Sequence, residues 1–235
     1  MVYTKKIPLF FILMLLFTSF SFASLVHHYI FDSSSVTDIV GGVHGSLYNG
    51  ASISNGALLL DGSNDYVELS GKIIPNSGNY TVAFFARQTA LQSGGYVEMI
   101  SQGYSGGPGF YIGHDPSRNM RFSDAWGTPG VAMPGDAQWH HYAFVSSTTS
   151  TSFYIDGVLK ASTGALSFTT GGTNTRFGSQ FVTYGEYFSG MMDDIRIYSH
   201  TLSSSELLAI STVPEFHCVG MFMIGVILFL CLYKK

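Results

Sequence analysis

No stretch of residues 25–198 keeps apolar side chains at the i, i+3, i+4 spacing of a helix; short runs rich in Tyr, Phe, Val and Ile alternate instead with Gly, Asn, Asp and Ser clusters. Side chains alternate between the two faces of a strand, so each run can bury one face and turn back at the next polar cluster. The pattern predicts an all-β, two-sheet antiparallel sandwich. In residues 80–87, Tyr80, Val82, Phe84 and Ala86 share one face and form a candidate core stripe. Trp139, His141, Ala143 and Val145 fall on one side of a later run, with His140, Tyr142 and Phe144 on the other, so both faces there are expected to be partly covered. Asp156-Gly157 between two apolar runs predicts a tight hairpin turn. A helical signal comes at Ser203 and Glu206, a capping box ahead of Leu207, Leu208 and Ile210, which predicts a brief closing helix.

The ends of the chain have a different composition. Lys5 and Lys6 precede an apolar run at residues 7–17, and Ser21-Phe22-Ala23 supplies the small residues of a cleavage site, so residues 1–23 are expected to be a signal peptide. Residues 219–233 carry no charge and run into Lys234 and Lys235. A membrane helix takes ~20 apolar residues, and terminal lysines favour a cytoplasmic end. The expected organisation is thus a signal peptide (1–23), a β-domain (24–210), a linker (211–217) and a C-terminal transmembrane or sorting segment (218–235). That arrangement implies export by the general pathway and retention at the cell surface or membrane.

Charge and cysteine content narrow the function classes. Only 11% of residues are charged and the net charge is −4, so the basic footprint of a nucleic-acid binder is missing. Both cysteines, Cys218 and Cys231, lie in the C-terminal segment, which leaves the β-domain without a disulfide or a catalytic thiol.

Several phrases occur in order across the β-domain: Tyr29-Ile30-Phe31-Asp32, residues 38–45, Leu59-Leu60-Asp61-Gly62-Ser63-Asn64-Asp65-Tyr66-Val67, Trp139-His140-His141-Tyr142, Phe153-Tyr154-Ile155-Asp156-Gly157, and residues 188–198. In this order they resemble the laminin-G-like jelly roll of the concanavalin A-like lectin and glucanase fold. Val213-Pro214-Glu215, the apolar span and the terminal lysines resemble the PEP-CTERM class of bacterial sorting signals, although Phe216 stands where a second proline is expected. That likeness implies cleavage near Pro214 by a sorting transpeptidase; a plain membrane anchor explains the same residues.

The laminin-G-like resemblance implies a structural calcium joining the N-terminal loop to the last strand. On the matching positions the carboxylates would come from Asp38 and Asp194, and backbone oxygens from the turn containing Gly41 and His44. Calcium takes about six to eight oxygens. Neighbouring Asp193 and Asp194 cannot both face one ion from a regular strand. The alternative is that Asp194 pairs with Arg196 or caps a loop. The segment 60–65 reads as a turn, because it lacks the downstream Glu of a helix-loop-helix calcium motif. His27-His28 and His140-His141 each alternate across a strand, so neither pair is expected to chelate one metal.

No enzyme site is expected. The Glu-x-Asp-x-x-Glu strand of glucanase relatives is missing; Gly103-Tyr104-Ser105-Gly106-Gly107 has the Gly-x-Ser-x-Gly spacing, but a nucleophile elbow is a strand-to-helix turn and no helical pattern follows it. Retaining glycosidases need two carboxyls about 5 Å apart. Tyr104, Tyr111, Trp126 and Tyr184 lie in or beside Gly-rich loops, where their rings could stack on sugars or pack against the sandwich. The leading expectation is a non-catalytic surface module that binds carbohydrate or a surface glycoprotein, or mediates adhesion. A structural envelope protein is the alternative, and a hydrolase using Glu98 or Glu186 is the third reading.

Overall fold

The computed structural model describes residues 24–103, 109–123, 126, 129–168, 174–180 and 184–211, together with the backbone of 216–223 and 226–233. The expected sandwich is present as two antiparallel sheets. The strands are β1 (Leu25–Tyr29), β2 (Gly45–Tyr48), β3 (Ser52–Ser54), β4 (Ala57–Asp61), β5 (Tyr66–Leu69), β6 (Tyr80–Gln88), β7 (Val97–Gln102) and β8 (Phe110–His114). They continue with β9 (Met120–Arg121), β10 (His140–Ser146), β11 (Ser150–Ile155), β12 (Val158–Gly164), β13 (Arg176–Phe177) and β14 (Ser189–Tyr198), followed by helix α1 (Ser204–Ser211). One sheet runs β12-β11-β10-β6-β14-β4-β3, with β1 also paired to β14; the other runs β2-β5-β13-β7-β8-β9.

Alternation along the strands builds the core between the sheets. Tyr80, Val82, Phe84 and Ala86 of β6 are buried there with Tyr142 and Phe144 of β10, Phe153 of β11 and Val67 of β5. Phe144 lies at the centre of a cluster of rings: Phe110 meets it edge-on at 5.2 Å and Phe122 sits 5.8 Å away. The opposite side of the same strands makes a second, smaller core. Ala83, Ala143, Val145 and Tyr198 are covered there by Leu202 and by Leu207 of α1. Both faces of β6 and β10 are therefore apolar, as the sequence of residues 139–145 implies.

The local turn signals act as expected. Asp156 and Gly157 take φ of 52° and 72° and close the β11–β12 hairpin with two residues. Positive φ at both positions matches the twist of paired strands. At the helix start, the Ser203 amide donates to Glu206 Oε2 at 2.7 Å and the Glu206 amide donates to Ser203 Oγ at 3.3 Å, which closes the capping box. Residues 61–65 form a turn in which Asp61 Oδ1 accepts from the Ser63 amide at 2.7 Å.

Two expectations need correction. β14 is not a regular strand: Asp194 has a φ of 50° and the pairing with β6 shifts between Asp193 and Arg196. The bulge frees Asp194 from strict alternation with Asp193. Over the expected transmembrane segment, residues 216–223 and 226–233 pair as an antiparallel two-strand hairpin instead of a helix. An unbroken apolar run has the same signature in a buried strand and in a helix, so periodicity alone does not separate the two. Among the described residues no helix is long and apolar enough to cross a membrane. The expected signal peptide, residues 1–23, lies outside the described residues, as does the expected cleavage region at Pro214.

Candidate functional site

The outer face of the six-stranded sheet carries an assembly of polar and aromatic side chains, and strand register places them. Glu98 of β7 pairs with Gly113 of β8, and Gly113 pairs with Arg121 of β9. Ser101 of β7 pairs with Tyr111 of β8 and with Arg176 of β13, and Arg176 pairs with Glu68 of β5. These residues share the face opposite Val67, Ile100, Ile112 and Phe177, which fill the core.

Arg121 organises one end of this face. Its guanidinium lies over the rings of Tyr96 and Tyr111, 4.2 Å and 4.6 Å from the centroids. Nη2 donates to Tyr111 Oη at 2.8 Å, and Nη1 lies 3.4 Å from Glu98 Oε1 and 3.9 Å from Glu186 Oε2. Burial works against the positive charge, but Glu98, Tyr111 and Glu186 more than offset it, so Arg121 titrates above its ordinary range. Glu98 is fully buried, whereas Tyr96 is 48% exposed. Glu186 reaches Arg121 from a turn in which Gly185 and Glu186 both have positive φ, and the Glu98 amide donates to the Glu186 carbonyl at 2.8 Å. This combination of a charged donor, acceptors and an exposed ring suits a neutral ligand with many hydroxyls.

The residues singled out from the sequence are distributed unevenly. Tyr111 belongs to this cluster, but only 1% of it is exposed, and it works through its hydroxyl on Arg121 instead of offering an open ring. Tyr184, 63% exposed, lies two residues before Glu186. Trp126 is elsewhere: it packs on Phe122 at 5.0 Å and covers the core. Tyr104 lies outside the described residues. Tyr96 and Arg121 carry little signal in the sequence beyond the alternation of Met120-Arg121, with Met120 buried in the core and Arg121 facing out.

The residues matched to a calcium site are arranged around negative charge. Asp38 Oδ1 accepts from the amides of His28, Val40 and Gly41, at 2.9–3.1 Å; Oδ2 accepts from the Val43 amide at 3.1 Å and lies 2.7 Å from His27 Nδ1. Burial pushes this carboxyl up, and the bonds from His27 and the surrounding amides more than reverse that, to about 2. Gly41 is needed for its close approach, since a Cβ there would collide with the His27 ring and the Val26 carbonyl. His44 Nδ1 accepts from the Asp38 amide at 3.2 Å, and the Val43 carbonyl is taken by the Tyr29 hydroxyl at 2.7 Å. Asp194 is bidentate to Arg196, at 2.7 Å through each oxygen, and lies 2.6 Å from His28 Nε2. Burial raises this carboxyl too, and His28 and Arg196 bring it below the usual carboxylate range. A loop that converges its N–H groups on Asp38 suits an anion, and it is already filled by that carboxylate; these residues do not fit calcium. Among the described residues no group of three or more His, Cys, Asp or Glu is placed to hold a metal.

Two antiparallel sheets around an aromatic core, with a polar and aromatic outer face on one of them, define a lectin-type β-sandwich. The family described as "Concanavalin A-like lectin/glucanases superfamily" matches residues 61–208, and the chain belongs to it. The chain is 25% identical over 194 residues to an alpha-L-arabinofuranosidase of Bifidobacterium longum subsp. longum; the match takes in 71% of this chain and 18% of that enzyme. It thus spans under a fifth of the curated relative's length. Domain 4 of AbnA, a GH43 extracellular arabinanase from Geobacillus stearothermophilus solved in complex with arabinotriose, superposes with a TM-score of 0.67 at 22% identity, over 81% of this chain and 99% of that domain. The binding domain of Paraclostridial Mosquitocidal Protein 1 gives 0.65 at 15% identity, over 84% of this chain and 54% of that one. At these identities the structural matches establish the fold.

Proposed function

We propose that this chain is a non-catalytic carbohydrate-binding module whose site is the Tyr96–Arg121–Glu186 end of the six-stranded sheet. The observation that carries this reading is Arg121, which is fixed between two rings and two carboxylates beside the exposed Tyr96. A fixed guanidinium bonds neighbouring hydroxyls with little entropy left to lose, and an adjacent ring accepts the apolar face of a sugar. The family supports the ligand class, and the arabinotriose complex of a similarly folded domain makes arabino-oligosaccharides the first probes. The full burial of Glu98 against Arg121 supports a binding role over a hydrolytic one, because a glycosidase needs two carboxyls that reach the scissile bond.

Titration calorimetry of the full-length protein in a sugar-free detergent, against arabinotriose and a panel of other oligosaccharides, tests the proposal. Binding that weakens in Tyr96→Ala and Glu186→Gln, with no release of reducing sugar, is expected. Absence of binding across the panel overturns it.

Export and surface retention accompany this reading. Lys5, Lys6 and the apolar run at 7–17 support a cleaved leader, and the apolar 219–233 followed by two lysines supports membrane retention or handling by a sorting transpeptidase. Mass spectrometry of the mature protein tests both ends: a new N-terminus at Ser24 is expected and an intact Met1 rules the leader out, while an intact Lys235 favours retention over cleavage near Pro214.

A further inference from the structure

The Arg-over-Tyr arrangement occurs a second time on the same outer face. Arg176 lies 4.5 Å over the ring of Tyr66, and its Nε and Nη2 donate to Glu68 Oε2 at 2.8 Å and 2.7 Å. Tyr48 of the edge strand β2 pairs across the strands with Tyr66 and stacks on it, with centroids 4.7 Å apart and planes within 3°. Tyr48 is 41% exposed, which leaves a flat aromatic surface open to solvent at the rim of the sheet. Burial raises the Tyr66 phenol despite the nearby Arg176, with Glu68, Tyr48 and Tyr187 adding to the rise, so these groups form one electrostatic unit.

The two units are related by the sheet itself. β13, β7, β8 and β9 are successive neighbours, and Arg176 is level with Tyr111 whereas Arg121 is level with Gly113, two residues further along, so the backbones of Arg176 and Arg121 stand about 16 Å apart. Hydrogen bonds among described residues connect them: Arg176 Nη1 donates to the Gln180 carbonyl at 3.3 Å, Ser101 Oγ donates to the Ser179 carbonyl at 2.7 Å, the Gln180 amide donates to the Gly185 carbonyl at 2.9 Å, and Glu186 meets Arg121. Both guanidiniums are thereby held in fixed positions on one surface. A single monosaccharide cannot touch both.

We propose that Tyr48, Tyr66, Glu68 and Arg176 form a second sugar subsite, so that the protein recognises a linear polysaccharide along several consecutive residues instead of one terminal sugar. This rests on the carbohydrate reading of the Arg121 end. A linear glycan presents ring faces and hydroxyls repeatedly along its length, which is the chemistry that two Arg–Tyr–Glu units at a fixed separation can read. Two linked contacts add avidity when their spacing matches the ligand.

The test uses the full-length protein in a sugar-free detergent with ladders of linear arabino-, xylo- and cello-oligosaccharides, from disaccharide to octasaccharide. In the wild type, affinity for the bound ladder rises about tenfold or more once the chain is long enough to reach both units, a gain of about 1.4 kcal/mol. Tyr48→Ala abolishes that rise, and Tyr48→Trp restores it. Tyr96→Ala weakens ligands of every length. Affinity independent of length, or an unchanged length dependence in a Tyr48→Ala variant with wild-type melting temperature, overturns the second subsite and leaves the first standing. Absence of binding by every ladder overturns both.

Discussion

The backbone of Gly113 passes directly beneath the carboxylate of Glu98, its register partner on the neighbouring strand. A methyl group at Gly113 would collide with Glu98 Oε2 and the Val97 carbonyl, neither of which is the free end of a mobile side chain. Gly113→Ala is expected to cost about 3 kcal/mol through overpacking and to displace Glu98 from Arg121. Urea unfolding and the affinity for the first-bound oligosaccharide should fall together; an unchanged midpoint would show that the site tolerates the shift.

Removing Arg121 alone should be worse for stability than removing the whole pair. Arg121→Ala leaves the buried Glu98 carboxylate without its main compensating charge, a loss of about 3 to 5 kcal/mol, whereas Arg121→Met combined with Glu98→Leu should recover most of it. The double variant is then stable and does not bind sugar. A double variant as unstable as Arg121→Ala would mean that packing, and not charge, sets the cost.

Acid should unfold the protein in two stages. His141 is buried beside Phe85, 4.9 Å away, and burial lowers it from its ordinary value to about 4. The unfolded chain therefore takes up this proton first, and stability falls by up to about 3 kcal/mol as pH drops from about 6.5 to 4. Asp38, depressed to about 2, contributes stability that is present above about 4 and is lost as pH falls toward 2. His141→Phe is expected to flatten the upper stage only, as read from melting temperature against pH. A profile unchanged by His141→Phe would locate that stage elsewhere.

At the alkaline side, His140 acts in the opposite direction. Its Nδ1 lies 2.7 Å from Asp156 and its Nε2 3.0 Å from Asp136; burial lowers it, but the two carboxylates more than reverse this and raise it above its ordinary value. Its contribution is complete below about pH 6.5 and disappears as pH rises through the folded value. NMR titration of His140 should show this elevation, and Asp156→Asn should reduce it.

Calcium and a chelator should give the same melting temperature. The acceptor positions of Asp38 are taken by four amides and His27, and both oxygens of Asp194 by Arg196. A calcium-dependent rise, which mass action would make about 2.7 kcal/mol at one hundred times Kd, would require this network to open.

What could be read from the sequence was what is decided locally. The Tyr80–Ala86 stripe, the Asp156-Gly157 turn and the Ser203–Glu206 box each depend on neighbours a few residues away. The bulge at Asp194 does not: a non-glycine residue with a φ of 50° is held there by Arg196 and by His28, which comes from the other end of the domain. The polar outer face was harder still, because β9 and β13 have two residues each, too few to show a period, and Glu98, Arg121 and Glu186 meet only once the sheet is assembled. Trp126 went the other way, since a tryptophan beside glycines looks open until Phe122 is seen under it.

His27 and His28 are consecutive, and each is committed to a different aspartate, His27 to Asp38 and His28 to Asp194. A slip of β1 along β14 by one residue would exchange their faces and break both pairs at once. The two histidines therefore work as a two-toothed key for the first strand of the sandwich to join β14: any other alignment forfeits both contacts, and the two strands have one way to meet.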